Sequence, residues 1–465
     1  MPTRRRKHQR PRTPREGLEK ARTQPWTIPP AVLGAIAAVW AICFMTLHGY
    51  QHRPPFAEEA NIAWHVAVGH GFRSPMDPSP TAPPSAWSAP LYPLAIAAAY
   101  RVFGIASPDA VTALMLLNAV FLGMIVVGTE RLGTSLFGSQ VPGLLAAAVV
   151  AIHPLFLYYM ADFWDGFMGL AIFVSLTAGA VRLGRVAESG GRIGYGHAGA
   201  LGVGMGLLAL TNASYAVSYP VLLYQAFRRT LGVDRWRLAA IACAICLVVI
   251  SPWTIRNYVA FGRLIPVRTG GGLQLWMGNP PVSDGWLEQT APVHPYIDRA
   301  ERKLLLTMGE PAYNDLALER FEKELIASPA GYVTSCLRRA VYVLVGKPTV
   351  PRRYPLLINW RWHGVFLDSL LLNASIALLG VAGMVAARRF HYRQGVLPIL
   401  AAIVALPFIA SGVTDRHSLP VRWVLIVYTG SCAWMLFRWY RGRSGVPVLL
   451  GSRRGQTATT TDVSA

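Results

Sequence analysis

Two adjacent carboxylates, Glu58 and Glu59, stand just after the first apolar run long enough to cross a membrane, in a chain with only 23 acidic residues among 465. Carboxylates beside a bilayer surface can take a proton from a hydroxyl, orient a neighbour or hold a cation. On a helix, adjacent side chains diverge by about 100°, so one of the pair acts while the other orients it, holds a metal or meets water. A second acidic pair, Asp162 and Asp165, has the spacing that shares one helix face; helix capping near the interface is its plainer reading. Arg256 and Arg416 each emerge at the end of an apolar run. A guanidinium there can grip a phosphate in a bidentate fork or snorkel to a lipid headgroup. His65 and His70 are five residues apart, not the i,i+4 of a helical zinc pair, so joint ligation is not expected.

The elements that must position these groups are membrane spans. Hydrophobic residues make up 53% of the chain, charged residues only 14%, and mean hydropathy is +0.36, which excludes a soluble domain of this length. The formal charge of +21 does not point to nucleic acid, because the Lys and Arg residues gather in short clusters between apolar runs. Against the roughly 20 residues that cross about 30 Å of hydrocarbon, about eleven runs stand out: 29–47, 88–104, 108–129, 141–160, 166–181, 197–211, 214–227, 237–256, 362–386, 395–411 and 420–438. Several are short or interrupted by Pro and Gly, which membranes tolerate where neighbouring helices satisfy the freed backbone groups.

Basic clusters at Arg4–Arg10, Arg182 with Arg185, Arg228 with Arg229, Arg388 with Arg389 and Arg438 with Arg441 are expected to face the cytoplasm. Loops 48–87, 161–165, 212–214, 258–361 and 412–419 then fall on the outer face, and both termini inside. An even number of crossings follows, and 88–104, with Pro90, Pro93 and Arg101, is expected to lie at the outer interface rather than cross. This describes a multi-pass protein of the plasma (bacterial inner) membrane. Residues 1–28 read as a disordered basic arm and 441–465 as a disordered tail. Between them lie a transmembrane module over 29–257, an outer, mainly helical unit over 258–361, and C-terminal spans over 362–440.

Within that outer unit, Leu316, Leu318, Phe321 and Leu325 recur at roughly helical spacing from Asn314 to Ile326, and Ser328-Pro329 ends the run. The interleaved Glu319, Glu322, Lys323 and Glu324 read as a solvated face of a cap, not as catalysts. Five cysteines give no disulfide framework, and Cys243 with Cys246 read as core packing in an apolar helix. Trp276, Trp286, Tyr296 and Trp360 suit either interfacial anchoring or stacking on a sugar face.

Several motifs are spread over most of the chain. Glu58-Glu59 is followed by Ile62-Ala63, Gly69-His70-Gly71-Phe72, Trp87, Pro90-Leu91-Tyr92-Pro93-Leu94 and Val102-Phe103-Gly104. Later come Arg131-Leu132, Leu136-Phe137-Gly138, His153-Pro154, Leu210-Thr211-Asn212, the run from Pro252 to Tyr258, Phe261-Gly262, Gly278-Asn279 and Arg416 to Pro420. In these the chain resembles the class C (GT-C), polyprenyl-phosphate-dependent glycosyltransferases, which include protein O-mannosyltransferases and aminoarabinose transferases of lipid A. The resemblance implies an all-α polytopic fold of about 10–11 transmembrane helices with a juxtamembrane outer loop and a small outer-face domain.

It implies further that the acid opening the first outer loop is the catalytic base. Ile62 and Ala63 put Glu58 in that place, where Asp is common, with Glu59 in support. Asp165 would be the second acid and Asp162 a supporting one. The basic residue usual before Pro-Leu-Tyr-Pro is replaced here by Trp87-Ser88-Ala89, which moves lipid-phosphate binding to Arg256 and Arg416. The donor implied is a sugar on a polyprenyl phosphate, and the acceptor a hydroxyl of a glycan, lipid or protein. The expected reaction is inverting, with a divalent cation possible at Asp165. No Gly-rich phosphate loop marks a nucleotide site. The competing readings are a transporter or lipid flippase, for which span interiors nearly free of charge, Asp368 and Arg101 excepted, speak poorly, and a non-catalytic assembly partner.

Overall fold

A computed structural model describes residues 28–52, 57–230, 232–279, 281–283, 285, 293–346, 365–389 and 396–443. The arm expected before residue 28, the tail beyond 443, Trp286 and Trp360 lie outside these. Among the described residues the chain is helical, with one isolated antiparallel bridge, Arg73 to Pro84. The helices are α1 (Pro30–Leu47), α2 (Ala57–Ala67), α3 (Leu91–Phe103), α4 (Pro108–Phe137), α5 (Gln140–Ile152), α6 (Pro154–Ala161), α7 (Asp165–Glu188), α8 (Tyr195–Thr211), α9 (Tyr219–Phe227), α10 (Asp234–Phe261), α11 (Gly271–Met277), α12 (Arg299–Met308), α13 (Glu310–Ala327), α14 (Pro329–Val345), α15 (Val365–Arg389), α16 (Leu397–Ser411) and α17 (Leu419–Arg443).

Among the described residues six helices are long and apolar enough to cross a membrane: α1, α4, α7, α10, α15 and α17, the last two as the stretches Leu371–Arg389 and Asp415–Tyr440. The pair α5 and α6, bent by 55° at His153, supplies a seventh if it is one span. This is fewer than the ten expected. The other apolar runs form helices of 13, 17, 9 and 15 residues in α3, α8, α9 and α16. At 1.5 Å per residue even α8 rises only about 25 Å, short of roughly 30 Å of hydrocarbon. Pro and Gly bound α3 and α16, while the 3-10 turn Ala213–Ser218 after Asn212 parts α8 from α9. Leu247 and Val248 of α10 are each 67% exposed, an apolar surface suited to lipid rather than water.

Span packing relies on small residues that let backbones meet. A Cβ on Gly206 would lie 2.6 Å from Val249, and one on Gly430 of α17 would lie 2.6 Å from Pro142 O and 2.8 Å from Ala146 N of α5. Backbone atoms cannot step aside as a flexible side chain can. Gly430→Ala is therefore expected to destabilise the protein by about 1–3 kcal/mol; an unchanged thermal midpoint in detergent would count against this packing.

At the end of the bundle that carries Glu58, α2 is tied down at its last turn. Arg101 of α3 donates from Nε to Ala67 O at 3.2 Å and from Nη2 to Val66 O at 3.3 Å, satisfying carbonyls a helix end leaves open. The loop after α2 turns through Gly69 and Gly71, with φ of 92° and 83°, values that favour glycine. Ser74 N then donates to Pro83 O, and Ser85 N to Phe72 O, so the loop folds back on itself.

A second hydrophobic core joins this loop to the helices of the 258–361 segment. Ile62, Phe72, Met76 and Trp87 pack with Leu273 and Met277 of α11, Leu305 of α12, and Tyr313 and Ala317 of α13. The segment that reads as a separate cap in sequence thus shares its core with the first loop. Helix α13 starts at Glu310 rather than Asn314, because Gly309 in the left-handed region and Pro311 in the first turn open it earlier.

Candidate active site

Helix α2 presents its two acids in different directions, as the 100° step requires. Glu58 is reachable, with 14% of its side chain exposed. Its Oε2 accepts from Trp87 Nε1 at 3.1 Å, and its Oε1 lies 3.4 Å from His294 Nε2. One ring N–H and a neighbouring imidazole therefore orient one carboxylate, as a third group orients a catalytic base. Burial pushes the His294 imidazole down, while Glu58 pulls it up.

Glu59 turns inward and is 2% exposed, with no hydrogen-bond partner for Oε2 among the described residues. Burial first, then the charges of Asp165 and Glu58, hold its carboxyl well above the usual range, against a backbone hydrogen bond and Arg416. Ile62 and Ala63, one turn on, are fully buried and fix the rotation of α2.

Asp165 is the first residue of α7 and is 4% exposed. The positive end of a helix dipole favours a carboxylate there, and the charges of Arg268 and Arg416 act on it from nearby. The turn that delivers it contains Phe163, a buried residue at φ 49°, an uncommon conformation for a bulky side chain. Asp162 closes α6 and lies on the flank, beside Tyr92 and Tyr159. Asn118 steadies this side, donating to Met160 O at 2.6 Å and accepting from Tyr92 Oη at 3.4 Å.

Arg416 comes from the short 3-10 turn Asp415–Ser418 between α16 and α17. Its guanidinium carbon sits 3.1 Å from the centre of the Trp164 ring, a cation–π contact, and Nε donates to His417 Nε2 at 3.1 Å. His417 is stacked on Phe408, with ring centres 4.4 Å apart. Below the turn, Arg422 pairs with Asp415 at 3.4 Å, both buried. Around Arg416 stand Tyr159, Asp165, Glu59 and Glu58.

Of the expected site residues, Glu58, Glu59, Asp165 and Arg416 therefore share one region, with Asp162 at its edge. Arg256 does not join them. It sits between Phe72 and Trp253, 5.5 and 4.9 Å from their ring centres, and spends its N–H groups on Ser85 O at 2.5 Å and Phe72 O at 2.6 Å. A guanidinium engaged by two carbonyls is not poised for a phosphate. The second cation of the site is Arg268, in the turn between α10 and α11, close to Asp165 and His417.

Sequence reasoning missed both Arg268 and His294. The available signal for Arg268 was a lone cation just before Gly270-Gly271-Gly272; His294 carried none. His65 and His70 lie with ring centres 5.7 Å apart, and His65 Nε2 meets Asp77 O at 2.9 Å. Among the described residues no group of three or more His, Cys, Asp or Glu side chains is gathered as a metal would need. Asp165, where a cation is possible from sequence, lies in the field of Arg268 and Arg416. Among the described residues this donor set does not suit a divalent metal.

No family model matches the sequence, and no curated protein matches it. Among solved structures, the chain is similar to the archaeal oligosaccharyltransferase AglB from Archaeoglobus fulgidus in complex with an inhibitory peptide and a dolichol-phosphate. The TM-score is 0.50 at 15% identity, over 91% of this chain and 52% of that one. The apo form of the Archaeoglobus fulgidus oligosaccharyltransferase matches at TM-score 0.50 and 14% identity, over 92% and 53%. ArnT from Cupriavidus metallidurans bound to undecaprenyl phosphate lies further off, at TM-score 0.40 and 15% identity over 86% and 77%. The chain spans about half the length of the archaeal enzyme.

Proposed function

Starting from a multi-pass membrane protein with the GT-C glycosyltransferase fold, we propose that this chain moves a sugar from a polyprenyl-phosphate donor to an acceptor hydroxyl of a glycan, lipid or protein. One observation carries the reading. A reachable carboxylate, Glu58, held by Trp87 and His294, stands with Asp165 and two guanidinium groups at one end of the bundle.

In this reading Glu58 accepts the proton of the acceptor hydroxyl while that oxygen attacks the anomeric carbon. The bond from that carbon to the phosphate oxygen breaks on the opposite face, its electron pair leaves with polyprenyl phosphate, and the configuration inverts. Arg416 and Arg268 meet the charge that grows on the departing phosphate, and Asp165 keeps the two cations in register. Preorganised charge of this kind, in a site sheltered from water, is where catalysis gains most. Arg256, expected from sequence to share the phosphate, has no part in this step.

The site is assigned to the outer face of the plasma membrane. Glu188, at the far end of α7, pairs with Arg229 at 3.2 Å and Arg228 at 3.8 Å. It and Asp165 are the ends of one 24-residue helix, about 35 Å apart, and arginine-rich ends face the cytoplasm. The donor's apolar tail would then lie among the spans, in contact with membrane lipids.

The purified protein is expected to carry a polyprenyl phosphate detectable by native mass spectrometry, and to release it when given a polyprenyl phosphosugar and acceptor. Movement of labelled lipid or solute in proteoliposomes, with no sugar transferred to any acceptor, would replace this reading with a transporter or flippase.

A further inference from the structure

We propose that Arg256 and Glu310 are paired positioning residues that grip a single peptide unit, Ser85–Ala86, from opposite ends, and thereby set Trp87 and Arg268 at the site. The Ser85 carbonyl and the Ala86 N–H belong to one peptide plane. Arg256 Nη1 donates to that carbonyl at 2.5 Å, and Ala86 N donates to Glu310 Oε2 at 2.8 Å. A cation on the oxygen and a carboxylate on the N–H both stabilise the same peptide dipole, through charge-assisted hydrogen bonds that strengthen one another in a buried setting.

Each end of the clamp is itself fixed. Arg256 also donates to Phe72 O at 2.6 Å and to Asn257 Oδ1 at 3.1 Å, and lies against Phe72 and Trp253. Glu310 is 4% exposed and occupies the first position of α13, an 18-residue helix whose positive end favours a carboxylate. Burial drives its carboxyl up, and the hydrogen bonds from Ser85, Ala86 and Thr269, with Arg256 nearby, hold it down. Thr269 closes the arrangement. Its N–H donates to Ala86 O at 2.8 Å, and its hydroxyl lies 3.2 Å from both Ala86 O and Glu310 Oε2.

Two site residues adjoin this peptide. Trp87 follows Ala86 and donates to Glu58; Arg268 precedes Thr269 and its charge acts on Asp165 from nearby. Consecutive Cα atoms are about 3.8 Å apart, so a rotation of the Ser85–Ala86 plane moves both walls together. Apolar packing would stabilise the loop as well as two buried charges do. What the charges add is one fixed orientation of one peptide.

The kinetic arm of the test rests on the transferase reading, and the exchange arm does not. In Glu310→Ala and Arg256→Gln, hydrogen–deuterium exchange of peptides covering 84–90 is expected to quicken by about tenfold or more, while α4 and α7 keep wild-type protection. The double variant is expected to add little to either single one, as for groups that share a contact. Glu310→Gln, which keeps an accepting oxygen, is expected to restore most of the protection. In a transfer assay kcat is expected to fall by up to about 10²-fold, with donor KM within about threefold.

Unchanged exchange at 84–90 in Glu310→Ala would overturn the proposal. So would a donor KM raised tenfold by Arg256→Gln with exchange unaltered, since Arg256 would then bind phosphate directly. A wild-type protein that transfers no sugar defeats the function proposed above and leaves the exchange result to decide the clamp.

Discussion

Glu58→Gln is expected to slow sugar transfer by about 10²- to 10⁴-fold, the contribution of a general base, with the fold and lipid binding intact. The amide keeps the shape of the side chain and can still accept from Trp87 Nε1, so the loss isolates proton acceptance. The adjacent Glu59→Gln is expected to cost less than about tenfold. Burial and the neighbouring charges of Asp165 and Glu58 already favour the protonated, neutral form of Glu59, which the amide imitates. Steady-state transfer from a polyprenyl phosphosugar by both variants, each checked by thermal unfolding, tells them apart. A large loss in Glu59→Gln with activity kept in Glu58→Gln would assign the base to Glu59 and remove Glu58 from the chemistry.

Arg416→Ala is expected to reduce kcat/KM for the donor by about 10²- to 10³-fold, the loss found when a preorganised charge is removed from a developing anion. Lys should not rescue it. The guanidinium carbon sits over the Trp164 ring while Nε donates to His417, and an ammonium can reproduce neither the ring contact nor the fork. Arg268→Ala is expected to show a smaller fall of the same kind. If Arg416→Lys retained wild-type kcat/KM, the cation on Trp164 would be a packing feature and the phosphate would have to be held elsewhere.

Much of this site can be read from the chain before any fold is known, and the parts that cannot share a physical cause. Glu58 stands out through the resemblance, in which an apolar residue and Ala follow the base as Ile62 and Ala63 follow Glu58, and both are buried one turn on. Asp165 and Arg416 stand out because a charge at the edge of an apolar run is costly without a partner. Arg268 and His294 stand in irregular segments with no periodicity, and only tertiary folding brings them to the acids. Arg256 stands apart for the complementary reason. Its place at the end of a span suggested a free guanidinium, whereas two carbonyls from a loop about 170 to 185 residues earlier engage it. The spans show the same division. Their apolar character is a matter of composition, but whether a run with Pro or Gly in it folds as one long helix depends on neighbours, and α3, α8, α9 and α16 stop short.

The core shared by the first loop and helices α11 to α13 bears on how such a protein can change its acceptor over evolutionary time. Leu273, Met277, Leu305 and Tyr313 pack directly on Ile62, Phe72 and Trp87, so this segment carries only half of an interior. Grafted onto another scaffold, it would present those side chains to water, and the recipient loop would lose the wall that holds Trp87. Exchange of the whole segment as a module is therefore closed to it. On the proposed transferase reading, acceptor preference would shift by substitutions made in place, each tested against the packing that holds Trp87 beside Glu58.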